Sequence, residues 1–270
     1  MPTLRHAFAE LPEAARTAVT AHTGPIIETH AVESGLQSAI AARLKAENGS
    51  YFVKGLPSGH PRVWTQAREA DVGALVEPIA PRVLFRVQEG GWDLIGFEVL
   101  DGPHADYRPV SADLPLVAGA LTWLSQQAVP EGVEVKDAAD RMRDLVPSDQ
   151  LHHFYGDTLA HTDPNPSNVL VVDGRARLVD WAWVTRGPAW LDAAYWSLWL
   201  VVDGHSVDSA RTWASRIPAY EHAPRAALTV FARAQCDLWE SIAAADPVPW
   251  TQSVHAAAQA CADSRTTTTR

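Results

Sequence analysis

HTDPNPSNVLVVDGRARLVDW, residues 161–181, is dense in turn-forming residues yet carries two short apolar runs, and its reading decides the fold. NVLVV and RARLVDW flank Asp173-Gly174, a dipeptide that supplies the positive φ angles of a two-residue hairpin turn. Such a turn pairs positions whose numbers sum to 347, which sets Asn168 opposite Val179 and beside Asp180. A bulge could slip the register by one residue, but either register keeps Asn168 and Asp180 together at the hairpin mouth. Asp163 lies five residues before Asn168, on a segment stiffened by Pro164 and Pro166.

These residue types suit one chemistry. Magnesium takes oxygen ligands, usually one or two carboxylates, and fills its shell with water and phosphate oxygens; Asn168 and Asp180 offer such oxygens. A carboxylate not committed to the metal can orient a hydroxyl and accept its proton, which is the role open to Asp163. Taken singly, each residue could equally end a strand or cap a turn. The order His-x-Asp-x4-Asn, hairpin, Asp is what singles them out.

The stretch resembles the catalytic segment of the aminoglycoside phosphotransferase family, within the protein-kinase-like fold. RGPAWLDAAYW, residues 186–196, is similar to that family's Gly-Asp-Pro…Asp-Leu-Ala element, with Gly187, Pro188 and Asp192 in the matching places. The resemblance implies that Asp163 is the catalytic aspartate, that His161 supports its loop, that Asn168 and Asp180 hold magnesium, and that Asp192 braces the loop through backbone hydrogen bonds. Two residues depart from the pattern. Thr162 stands where the family usually has glycine, and Trp181 follows the metal aspartate where protein kinases have Phe-Gly.

The same resemblance requires a lysine for the nucleotide phosphates and a glutamate to position it. Lys54 ends the apolar strand SYFVK, and Glu69 shares a helix face with Val72 and Val76, so the two read as an ion pair or, failing that, as two unrelated snorkelling side chains. The phosphate loop falls on VESGLQSAIA, residues 32–41, where Gly35 and Ser38 would approach the phosphates; an ordinary hairpin turn reads nearly as well. In the connector FEVLDG, residues 97–102, Glu98 and Leu100 are the implied adenine contacts through main-chain groups.

The rest of the chain fits an α+β, bilobal, kinase-like architecture. Residues 1–100 alternate strand-like runs with turn signals, after a helical segment at 4–22 and around one helix at 61–77, and form the nucleotide-binding lobe. Residues 101–270 are mostly helical by their three-to-four-residue apolar spacing, and form the lobe of the catalytic loop and acceptor site. The tail 265–270, ending TTTTR, reads as disordered.

The whole-chain totals limit the possible partners. At 270 residues and 47% hydrophobic content the chain can bury a large core. A net charge of −10 without basic runs argues against nucleic acid, and the longest apolar run, AAYWSLWLVV, is too short to span a bilayer. Two late cysteines, Cys236 and Cys261, and no secretion signal fit a reducing cytoplasm.

The expected function is therefore an ATP-dependent small-molecule O-phosphotransferase, with GTP as the alternative nucleotide and Mg2+ as the metal. Its acceptor would be a hydroxyl of an antibiotic or other small metabolite. Acidic and aromatic residues of the helical part, Asp203, Trp199, Asp237 and Glu240 among them, could hold a cationic acceptor by charge and cation–π contact, or simply be helix surface and core. Alternatives are a metabolic kinase for an amino alcohol or sugar, a silent nucleotide-binding module, and a metallohydrolase built on His152, His153, His161 and Asp163.

Overall fold

A computed structural model describes residues 5–32 and 38–267. The chain divides into two compact units: residues 1–101 together with 179–182, and residues 102–178 together with 183–270.

The first unit is a five-stranded antiparallel sheet of order β1-β2-β3-β5-β4, made of β1 (Ile26–Ala31), β2 (Ile40–Ala46), β3 (Gly49–Pro57), β4 (Val83–Glu89) and β5 (Trp92–Glu98). A 3-10 turn at Phe8–Glu10 and α1 (Glu13–Thr23), entered through Pro12, bring Phe8, Leu11, Ala15 and Val19 onto the sheet. There they pack with Ile40, Leu44, Val53, Phe85, Trp92 and Leu94. Each such fully buried aliphatic side chain contributes roughly 1.5–3 kcal/mol over an exposed one.

Strand alternation then decides where Lys54 goes. Val53 belongs to that core, so its neighbour Lys54 points to the opposite face, where it lies over the Phe97 ring. The helix α2 (Trp64–Val76) runs from β3 toward β4 and buries Glu69, Val72, Gly73 and Val76. Gly73 permits the contact with β4, since a Cβ there would sit 2.4 Å from Val83 Cγ2.

The second unit is built mostly of helices. It contains α3 (Leu114–Leu124), β6 (Lys136–Asp137), α4 (Ala138–Met142), β7 (Thr158–Ala160), β8 (Val169–Val172), β9 (Arg175–Leu178), β10 (Thr185–Gly187), α5 (Leu191–Val202), α6 (Val207–Ala214), α7 (Pro218–Glu221), α8 (Arg225–Ala245) and α9 (Pro249–Thr267). The hairpin has the expected register, Val169 opposite Leu178 and Val172 opposite Arg175, with Asp173 and Gly174 at φ 49° and 71°. In a small sheet of order β6-β10-β7, the strand β7 ends at residue 160 and launches the loop that β8 receives. Helices α5, α8 and α9 share a core of Leu198, Ala232, Cys236, Ala257, Ala258 and Ala262.

The C-terminal end differs from the sequence reading. Residues 265–267 are the last turn of α9 rather than disordered tail, and the Arg265 guanidinium donates to the Tyr220 hydroxyl at 2.7 Å. Alanines at positions 257, 258 and 262 bury one stripe of this helix against α8 and α5, which orders a segment whose composition looks featureless. Both cysteines are free thiols. No helix among the described residues is long and apolar enough to cross a membrane.

Candidate active site

In the first unit the buried Lys54 ammonium meets two carboxylates. Its Nζ lies 2.7 Å from Glu69 Oε2 and 3.0 Å from Asp180 Oδ1. Glu69 is 3% exposed, and its other oxygen accepts the Trp181 backbone N–H at 3.2 Å. Burial on its own would depress the lysine, but Asp180 and Glu69 outweigh it and raise its pKa above the ordinary value, so the ammonium stays charged. Burial pushes the Glu69 carboxyl upward, against the pull of Lys54 and of the Trp181 N–H.

The connector and the edge of the sheet are tied down separately. Glu98 Oε1 accepts the Arg82 backbone N–H at 3.1 Å, the Glu98 N–H donates to the Arg82 carbonyl, and the Arg82 side chain lies 3.6 Å from the carboxylate. The Leu100 carbonyl accepts from Arg43 Nη2 at 3.1 Å, while Arg43 Nη1 pairs with Asp101 at 2.7 Å. Ser38 is half-buried just before β2. Gly35 lies outside the described residues.

In the second unit the loop of residues 161–168 is fixed at both ends. At its start, the buried Asp192 carboxylate accepts the His161 N–H at 2.9 Å through Oδ2 and the Thr162 N–H at 2.6 Å through Oδ1. Burial raises the Asp192 pKa, partly offset by His161, these two N–H groups and Arg141. The Asp163 N–H donates to His161 Nδ1 at 3.3 Å, so the His161 ring supports the loop from beneath. At the loop's end, Asn168 Nδ2 donates to the Asp163 carbonyl at 3.1 Å and to Asp163 Oδ2 at 3.0 Å.

Asp163 itself is half-exposed, with Oδ1 accepting from Asn165 Nδ2 at 2.8 Å. Two neutral amide donors hold the carboxyl group in place, and each oxygen keeps further acceptor capacity. This is a suitable state for a group that aims a hydroxyl and takes its proton.

Sequence reasoning missed three residues here. Asn165 caps the 3-10 turn at Pro166–Asn168 as well as gripping Asp163, and the Asn-Pro dipeptide was the available signal. Tyr107, buried, donates from its hydroxyl to the Pro164 carbonyl at 2.9 Å. Arg141 donates to the Thr162 hydroxyl at 2.6 Å. Neither contact leaves a local pattern in the sequence. Thr162 is itself unusual: its φ of 68° is left-handed, a conformation that costs a β-branched residue on the order of 1–3 kcal/mol.

The acceptor candidates separate into two groups. Burial first, and then Asp203 and Asp163, push the Tyr107 hydroxyl upward, so these carboxylates share one neighbourhood. Asp203 caps the end of α5, its own carboxyl raised by burial and by Asp106. Asp237 and Glu240 instead lie exposed on α8, where, after burial, they and Asp263 push the Cys236 thiol upward. Trp199 is buried in a cluster with Trp239 and Trp250, at centroid distances of 6.0 and 6.4 Å, and packs α5 against the last two helices. Among the described residues no group of three or more His, Cys, Asp or Glu is placed to hold a metal. His152 and His153 simply lean on each other at 4.0 Å.

No protein-family model and no curated protein matches the chain. Solved structures do. An aminoglycoside phosphotransferase from Alicyclobacillus acidocaldarius matches with a TM-score of 0.61 at 15% identity, over 96% of this chain and 97% of that one. The choline kinase LicA from Streptococcus pneumoniae matches with a TM-score of 0.59 at 12% identity, over 93% and 98%. A thermostable variant of aminoglycoside phosphotransferase APH(4)-Ia, in ternary complex with ADP and hygromycin B, matches with a TM-score of 0.57 at 15% identity, over 90% and 97%. The chain thus has the kinase-like bilobal fold of these small-molecule phosphotransferases.

Proposed function

We propose, from this shared fold, that the chain is a nucleotide-dependent O-phosphotransferase that moves the γ-phosphoryl group of ATP to a hydroxyl of a small molecule. GTP is the alternative donor. The observation that carries the reading is the buried Lys54 ammonium held by Glu69 and Asp180, residues that are far apart in sequence and that the kinase resemblance assigns to one task.

In this reading Asp163 aims the acceptor oxygen and takes its proton, His161 and Asp192 position the loop, and Lys54 offsets phosphate charge. Gly35 and Ser38 belong to the phosphate loop, and the backbones of Glu98 and Leu100 contact the adenine. Asn168 and Asp180 would hold magnesium. Their atoms fit a hard cation: one is a carboxylate, and the other is an amide whose nitrogen is turned to Asp163, which leaves its carbonyl oxygen as the ligand. When bound, the ion would neutralise phosphate charge.

The acceptor is a hydroxylated small molecule. Asp203, whose charge acts on Tyr107 as that of Asp163 does, supports one with a positive charge, whereas Asp237 and Glu240, exposed on α8 near Cys236, supply less support for their part in it. One of the neighbours is in ternary complex with ADP and hygromycin B, a precedent for a small-molecule acceptor.

A phosphate-transfer screen of hydroxylated antibiotics and amino alcohols, with magnesium and ATP, tests the proposal. Asp163→Ala is expected to abolish turnover while nucleotide binding persists. Equal turnover in the variant and wild type would refute the assignment, and binding without transfer to any acceptor would favour a silent nucleotide-binding module.

A further inference from the structure

Thr162 separates the buried His161 from Asp163, in a left-handed conformation that its branched Cβ opposes. Two contacts hold it there. Its N–H is fixed by Asp192, as described above, and its hydroxyl is fixed by Arg141 of α4. One nitrogen of that guanidinium, Nη1, lies 2.6 Å from Thr162 Oγ1, 2.6 Å from Thr185 Oγ1 and 2.9 Å from the Trp183 carbonyl.

An Nη nitrogen carries two hydrogens, so the arrangement that satisfies every group gives one to each hydroxyl. Each hydroxyl then donates its own hydrogen to the Trp183 carbonyl, at 3.3 Å from Thr162 and 2.8 Å from Thr185. The guanidinium also lies over the Trp183 ring, 5.8 Å from its centroid. All of these groups are in the second unit, and the network closes on itself around a side chain that glycine would not have.

We propose that Arg141 is a positioning residue for Asp163. It grips the Thr162 hydroxyl and so keeps the backbone left-handed, replacing by a side-chain contact the conformational freedom that glycine has at this position in the resembling family. The catalytic consequence rests on the proposed role of Asp163; the structural link between Arg141 and Thr162 does not.

The test is a cycle of four proteins: wild type, Arg141→Ala, Thr162→Gly and the double variant. Two readouts are taken. One is ADP release from magnesium-ATP in water, as kcat and KM for ATP; the other is the melting temperature without nucleotide. Introduced into wild type, Arg141→Ala is expected to lower kcat about tenfold or more, with KM within about twofold; introduced into the Thr162→Gly variant, it should lower kcat by less than about threefold.

The melting temperature should likewise fall further when Thr162 is present. Equal losses in both backgrounds, in both readouts, would overturn the proposal. Thr162→Val, which keeps the branched Cβ and the guanidinium but removes the hydroxyl, should lose kcat about as Arg141→Ala does; wild-type kcat and melting in this variant would also overturn it. If wild type shows no Asp163-dependent ADP release in water, the melting cycle alone decides the link, additive losses overturning it, while the phosphotransferase function is judged separately by the acceptor screen.

Discussion

Asp192 accepts backbone N–H groups of the loop at residues 161–168 through both carboxylate oxygens and is buried while doing so. Burial is the larger influence, so its folded pKa is raised above the unfolded value. A raised pKa means that the folded state binds the proton more readily. The group's contribution to stability is therefore full below the unfolded carboxylate value of about 4 and is lost as pH rises through the folded pKa. Protonation, however, weakens one of the two acceptors that hold the loop. Activity should fall on acidification from neutrality while the wild type gains stability relative to Asp192→Asn, which cannot titrate there. Melting curves of the two proteins from pH 7 to pH 4 check the sign, and a widening deficit of the wild type at low pH would contradict it. Lys54 and Glu69 were legible because alternation in β3 and the helical period in α2 place each on its face. Arg141, Tyr107 and Asn165 were not, because their partners are set by packing or by loop geometry that no period encodes.

Two tight turns differ in how well their residues suit them. At Asp173-Gly174 the hairpin has residues that accept positive φ, which is why the register could be read from the sequence. At Arg108–Ser111 the Ser111 N–H donates to the Arg108 carbonyl at 3.2 Å, with Pro109 and Val110 in the centre. Val110 has φ 65° and is fully exposed, so a β-branched side chain sits where glycine or asparagine is usual and packs against nothing that would offset its strain. Val110→Gly should raise stability by about 1 kcal/mol, the relief of strain less the entropy glycine adds to the unfolded chain. Denaturant unfolding reads this directly; a loss of stability would show that the turn is not strained. The short strands β6, β7 and β10 escaped the sequence reading, since two or three residues carry no alternation and owe their form to neighbours brought together by the fold.

At the level of the whole molecule, each unit has a core of its own, and the boundary near residue 101 was visible as a change from strand-like to helical patterning. The return of residues 179–182 to the first unit was not, since it depends on the contacts of Asp180 and Trp181 with Lys54 and Glu69. The end of the chain completes the second core, because α9 covers Leu198, Ala232 and Cys236. A chain ending at residue 248 should expose this surface, bind an apolar dye strongly and lose a cooperative melting transition. An unchanged transition would show that α9 is dispensable.

Lys54 is the partner of both Glu69 and Asp180, and both it and Glu69 are buried. Without its ammonium, two acids would be left facing each other with no counter-ion, and one would have to capture a proton to remain there. A methionine in its place would thus report on proton uptake and unfolding as much as on loss of the proposed phosphate contact. Inactivity of that variant is diagnostic of the reaction only once its melting has been shown to be intact.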